Sequence, residues 1–194
     1  MSTRRLAFLC LLCSASPLLH AQAKHAAERL GDLQIGAGFV VGKSDYGPHL
    51  LGGDVYVDFD RTSHWGGEFV VHQANASGGS GLYERTYEIG PRYTRHYGPA
   101  SPYAKVMIGR GVFNFPGYYN TVTKNYGPSP ANLAYNMYAV GAGSDLRVLD
   151  HLNVRLDYEY QRWAGFPTNG LTPQLVTVGV AYHFRSDKIG FGRH

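Results

Sequence analysis

The chain has 194 residues, with 18 Lys and Arg against 14 Asp and Glu and a formal net charge of +4. So near a balance excludes an electrostatic nucleic-acid binder, and the length allows one domain. Twenty-five glycines and fifteen tyrosines point to an all-β protein with many turns.

Met1-Ser2-Thr3-Arg4-Arg5 is basic, Leu6 to Leu19 is apolar, and Ala21-Gln22-Ala23 is small-x-small. These are the parts of a secretory signal peptide, expected at 1–23 with cleavage after Ala23. Roughly 14 apolar residues, interrupted by Ser14, Ser16 and Pro17, fall short of the about 20 a membrane-spanning helix takes. No later run is longer. Cys10 and Cys13 both lie in this segment, each preceded by a leucine where an acylated cysteine wants a small residue, so lipidation is not expected. The mature chain then has no cysteine, which excludes disulfides, thiol chemistry and Cys-bound zinc. It keeps 16 basic and 14 acidic residues, a net charge of +2. Residues 24–32 carry no strand signal and are expected as a periplasmic lead-in.

From Leu33 the apolar residues recur with period two. Eight strands are expected at about 33–42, 50–60, 65–74, 83–96, 102–113, 132–148, 152–163 and 173–184. The clearest is Leu152 to Tyr160, apolar at every even position and polar at every odd one. Asp54 to Asp60 repeats the pattern with Tyr56 on its polar side. Tyr87 to Thr94 does so too, and Pro91 predicts a bulge there by removing a ladder donor. The second, fourth and sixth connections (61–64, 97–101, 149–151) are tight. The other four (43–48, 75–82, 115–130, 164–170) are longer or richer in loop residues. Tight turns at one end and long loops at the other are the outer-membrane arrangement, with periplasmic turns and extracellular loops. An even strand count then places both termini in the periplasm.

Alternation alone does not say which face looks outward, since a soluble lipocalin-like barrel also has eight strands. The polar face decides. It carries Asp54, Asp58, Glu68, Glu88, Arg92, Lys105, Asp145, Arg147, Arg155, Asp157 and Glu159, mixed with Gly36, Gly38, Gly109, Gly111, Gly141, Gly143 and Gly179. Eight strands enclose only enough space for side chains, so small residues and paired ions suit a lumen better than a wet surface. The apolar face carries aromatics at the strand ends. Phe59, Trp65, Tyr93 and Phe184 fall at the periplasmic ends, Tyr83 and Tyr160 towards the other, as two aromatic girdles.

Gly141 to Arg147, Asp150 to Tyr160, and the closing run Val176 to Phe184 resemble the small outer-membrane β-barrel proteins, the OmpA membrane-domain-like and opacity-type surface proteins. The resemblance covers nearly the whole mature chain in strand plan and its last third in motif. It implies an all-β, eight-stranded antiparallel up-and-down transmembrane β-barrel at 33–184, located in the bacterial outer membrane. Implied partners are outer-membrane lipid, lipopolysaccharide and the barrel-assembly machinery, which in such families reads a terminal aromatic strand. Here Arg185 to His194 follow Phe184 as a short periplasmic tail.

The side chains that could carry chemistry read as structural. Paired lumen carboxylates suit ion pairs that fill a narrow core better than acid–base work. Ser144 sits beside Asp145 but on the outward phase, and the lumen-phase His72, His96 and His183 lie on separate strands, so no hydrolase triad is indicated. No two histidines have close metal-ligand spacing. Gly78 to Gly81 follows a strand but opens no helix, so it is a loop tip and not a phosphate cradle. Asn75-Ala76-Ser77 matches a glycosylation pattern by chance. No catalytic, cofactor or metal site is expected, and the chain reads as a structural or surface-exposed barrel with a charge-filled lumen. The alternatives are a narrow porin-like solute channel and an adhesin binding an extracellular ligand through the Tyr- and Asn-rich loop from Phe115 to Pro128. Three arginines break the apolar phase: Arg85, Arg110 and Arg162, all expected near the extracellular rim. There a lipid-facing arginine costs about 0–1 kcal/mol, against about 2–4 at the midplane, and lipopolysaccharide phosphates suit guanidinium contacts.

Overall fold

A computed structural model describes residues 32–45, 49–61, 64–76, 80–167 and 170–184. The expected signal peptide, nearly all of the lead-in and the tail lie outside these residues. In chain order the strands are β1 (Asp32–Lys43), β2 (Leu50–Asp60), β3 (Trp65–Ala76), β4 (Tyr83–Thr94), β5 (Ala100–Asn114), β6 (Tyr119–Asn120), β7 (Asn125–Tyr126), β8 (Asn132–Leu149), β9 (Leu152–Ala164) and β10 (Gln174–Phe184). All except β6 and β7 form one closed antiparallel barrel, each pairing with its neighbours in sequence, and β1 pairs with β10 to close it. Closure runs from Leu33↔Phe184 to Lys43↔Gln174, so no strand edge is left open along that seam. The barrel strands have 11 to 18 residues, more than the about 9–11 that a tilted strand needs to cross a bilayer.

The burial pattern is inverted relative to a soluble barrel. Phe39, Val55, Ile89, Ile108, Leu156 and Val178 are exposed, while Asp58, Glu68, Glu88 and Arg155 are at most 2% exposed. With apolar rows outside and charges inside, the lipocalin-like alternative is excluded, because it would require the opposite phase.

The expected fourth strand ran to His96, but β4 stops at Thr94. Arg95 instead donates its amide to Pro102, and Tyr97 exchanges amide hydrogen bonds with Ala100 across the positive-φ Gly98. The bulge expected at Pro91 does not form. Ile89↔Ile108 and Arg92↔Lys105 keep one register on either side of it. A proline removes a donor without adding a residue, so the ladder to β5 is interrupted but not shifted. A register shift occurs instead between Arg147 and Leu149, where β8 meets β9.

The long connections are tied together above the barrel. Asp45 Oδ2 accepts from the Thr172 amide (2.7 Å) and hydroxyl (2.6 Å), joining the β1–β2 and β9–β10 loops. The β6–β7 hairpin, with Tyr119 paired to Tyr126, rises from the connection between β5 and β8. It is anchored by Gly117 N–H donating to Ser80 O at 2.9 Å.

Candidate functional site

The barrel interior has three storeys, each built because even spacing along a strand returns a side chain to the same face. Towards the tight turns lies an ion cluster. Arg155, from β9, donates to Asp145 (2.8 and 3.0 Å) and Glu68 (3.1 Å), and pairs closely with Asp58. Arg92, from β4, pairs closely with Asp58 and Asp145. Lys105, from β5, reaches Glu68 at 2.7 Å, Glu159 at 3.0 Å and Asp157 at 3.1 Å. Tyr103 donates to Asp157, and Gln34 to Asp58 and Asp145. The two guanidiniums each lie over a ring, Arg155 at 3.8 Å from Tyr56 and Arg92 at 3.9 Å from Tyr103. The inward glycines make this fit. A Cβ at Gly36 would lie 2.3 Å from the Tyr56 ring, and one at Gly143 2.5 Å from the Tyr103 hydroxyl.

Above the ions sits a smaller polar group. His72, from β3, has Nδ1 at 3.1 Å from Glu88 Oε1 and Nε2 at 3.5 Å from Asp54 Oδ2. Gln161 donates to Glu88 (2.9 Å) and Glu159 (2.8 Å), and its own oxygen accepts from the Trp163 indole at 3.0 Å. His72, Glu88 and Glu159 each place one ligand atom within 4.8 Å of the others.

Trp163 begins the third storey, an apolar plug at the loop end. It is made of Leu50, Leu82, Phe113, Trp163, Phe166 and Leu171, with Phe115 and Tyr135 against it. Phe113 and Phe166 meet edge to face at 5.0 Å, and the Trp163 ring occupies the volume that a side chain at Gly111 would need.

Of the eleven charged residues expected in the lumen, ten are buried there. Arg147 is not: it is exposed at the tight-turn end of β8, beside the register shift, where its amide donates to Pro99. Arg147 still pairs with Asn153 in register, but the ladder from β5 ends at Ala100↔Leu146, so Arg147 lies past the rim on that side and its inward phase no longer means a buried side chain. Sequence reading missed the plug, although Phe113 and Trp163 share the inward phase with the charges below them. It also missed the meeting of His72 with Glu88 and Glu159, which are 16 and 87 positions away. The other two lumen-phase histidines lie at the tight-turn rim: His183 pairs with Asp32, and exposed His96 contacts Ser101 at 3.0 Å.

On the outer surface, Trp65 and Tyr93 pack edge to face at 5.0 Å, and the Phe59 ring covers Gly67. Phe184 packs on Tyr182 at 4.7 Å. At the loop ends, Tyr83 accepts from Asn132 at 2.6 Å, and Tyr160 is exposed opposite Gln174. Arg85 and Arg162 lie two residues from the loop ends of β4 and β9, and Arg110 four from that of β5. Arg85 donates to Gln73 (2.8 Å) and Arg110 to Asn136 (2.6 Å), while exposed Arg162 pairs across from Tyr138.

Residues 6–184 match the family profile of the outer membrane protein beta-barrel domain. No protein of curated function matches the chain in sequence. Solved structures similar in fold include three outer-membrane proteins. Ail, the attachment invasion locus protein of Yersinia pestis, in complex with the heparin analogue sucrose octasulfate, is 17% identical with a TM-score of 0.52, covering 79% of this chain and 98% of that one. Neisserial surface protein A is 12% identical with a TM-score of 0.56, over 78% and 95% of the two chains. The outer membrane protein OprG of Pseudomonas aeruginosa is 14% identical, also at 0.56, over 80% and 97%.

Proposed function

The chain belongs to the outer membrane protein beta-barrel domain family, and from that premise we propose that it is a non-enzymatic, surface-exposed structural barrel with a closed lumen. The observation that carries this reading is the stacking of an ion cluster beneath an aromatic plug. An eight-stranded barrel has room for its own side chains and little else, which weighs against the solute-channel alternative. The tight turns face the periplasm and the long loops face outward, with both termini periplasmic.

Orientation is tested by trypsin on intact cells. Lys124 stands at the exposed tip of the β6–β7 hairpin, whereas Arg61 and Arg95 lie at the opposite end of the barrel. Cleavage after Lys124 is expected in intact cells, and cleavage after Arg61 or Arg95 only once the outer membrane is permeabilised. The reverse order would invert the topology.

Arg85, Arg110 and Arg162 contact lipopolysaccharide phosphates in this arrangement. Their support is the outward phase at the loop ends of three strands, the level at which a guanidinium is tolerated and meets anionic headgroups. Replacing all three with glutamine is expected to abolish the extra thermal stability that lipopolysaccharide confers on the wild type. Equal stabilisation of both proteins would remove this contact.

The β6–β7 hairpin supports adhesion as a second reading. Its Tyr118 and Val122 are more than 80% exposed, an arrangement suited to contact. Binding to host-cell surfaces that survives deletion of residues 117–127 would count against it.

A further inference from the structure

The buried charges of the lumen do not balance. Setting aside Glu84, which pairs with Ser44 at the loop end, seven inward carboxylates are buried against three permanent cations, Arg92, Lys105 and Arg155. The deficit is not spread evenly. Asp58, Glu68, Asp145 and Asp157 all lie within ion-pair reach of those cations, and Glu159 shares Lys105. Among the described residues Asp54 and Glu88 have only His72 as an ion-pair partner. Negative charge therefore accumulates in the middle storey, where burial makes an uncompensated carboxylate costly.

That storey also has the form of a cation site. Glu88 is 1% exposed; its Oε1 is approached by His72, Thr86 and Gln161, while its Oε2 has no hydrogen-bond partner. Glu159 Oε2 makes no hydrogen bond and has only the Lys105 ammonium at 3.0 Å. The Gln161 amide holds both carboxylates through their other oxygens, which fixes the pair in place. On the far side of the imidazole, Asp54 lies against Nε2. A carboxylate at one ring nitrogen sets the tautomer that leaves the other nitrogen free to ligate.

We propose that His72, Glu88 and Glu159 bind one divalent transition-metal ion of the zinc class inside the barrel. One imidazole and two carboxylates suit zinc better than calcium, which takes six to eight oxygens. Tetrahedral zinc sets its ligand atoms about 3.3 Å apart. Small side-chain rotations close the present 4.8 Å limit to that spacing. The ion offsets two of the four excess negative charges, in the storey where they gather, and crosslinks β3, β4 and β9 through the barrel.

The test uses the full chain, folded in detergent, stripped with EDTA and returned to zinc. Metal retained after gel filtration is measured by mass spectrometry, and the melting temperature by loss of the fast-migrating folded band. The wild type is expected to retain one zinc, to melt higher with zinc than with EDTA, and to give a visible absorption band with cobalt(II). H72Q and E159Q are expected to lose the band and at least about 100-fold in affinity, and D54N about 10–100-fold. Either ligand variant that keeps folded migration decides the comparison. No retained zinc, a melting temperature indifferent to EDTA, or equal zinc binding by wild type and H72Q would overturn the proposal. Protons or surface histidines would then account for the charge or the metal.

Discussion

At the residue scale, one side chain organises the lower lumen. Arg155 touches three carboxylates and two aromatic rings. Removing it leaves Asp58, Glu68 and Asp145 with Arg92 and Lys105 as their cations and Gln34 as a neutral donor. Arg155→Ala is expected to destabilise the folded barrel by about 3–5 kcal/mol, the cost of orphaning buried charge, with no gain in permeability. Urea unfolding in lipid bilayers measures the first and planar-bilayer recording the second. A loss below about 1 kcal/mol would mean that water reaches the cluster. Ten lumen charges were legible in the sequence because side alternates strictly along a strand. Their partners were not, because alternation gives the side of the sheet but not the height. Height around a closed barrel depends on strand stagger, which no local pattern records. Hence His72 and Glu159, 87 positions apart, gave no sign of meeting.

At the scale of the element, the eight barrel strands followed the sequence to within two residues, whereas β6 and β7 lie in an expected loop, and the departures have local causes. β4 stops early because the Gly98 turn takes up Arg95 and Tyr97. The missed feature around Pro91 is an approach between strands. A Cβ at Gly90 would lie 1.9 Å from the Val106 carbonyl oxygen, so β4 and β5 meet there more closely than any side chain allows. Glycine thus compensates the interrupted ladder beside it, as glycines do where sheets must bend. Gly90→Ala is expected to cost about 1–3 kcal/mol or more, as overpacking does. Gly127→Ala, where the nearest atom is 3.5 Å away in the hairpin, is expected to be near neutral. Unfolding midpoints of the two variants, measured side by side, check the contrast, and equal midpoints would show that β4 relaxes freely.

For the whole molecule, the proposed closed lumen rests on two layers in series. Below lie the guanidiniums stacked on Tyr56 and Tyr103; above lie Trp163 and Phe166 in the apolar plug. Barriers in series pass no more than the tighter one, so opening one storey is not enough to make a pore. Trp163→Ala combined with Phe166→Ala empties much of the plug, and such large-to-small changes cost about 3–5 kcal/mol each. That variant is therefore assayed only after its folded band is seen on unheated gels. The wild type and this variant are both expected to give baseline conductance in planar bilayers, because the ion cluster beneath is untouched. A resolved wild-type conductance would restore the channel reading. Conductance confined to the plug variant would make the aromatic storey the gate, with the ion cluster permeable below it.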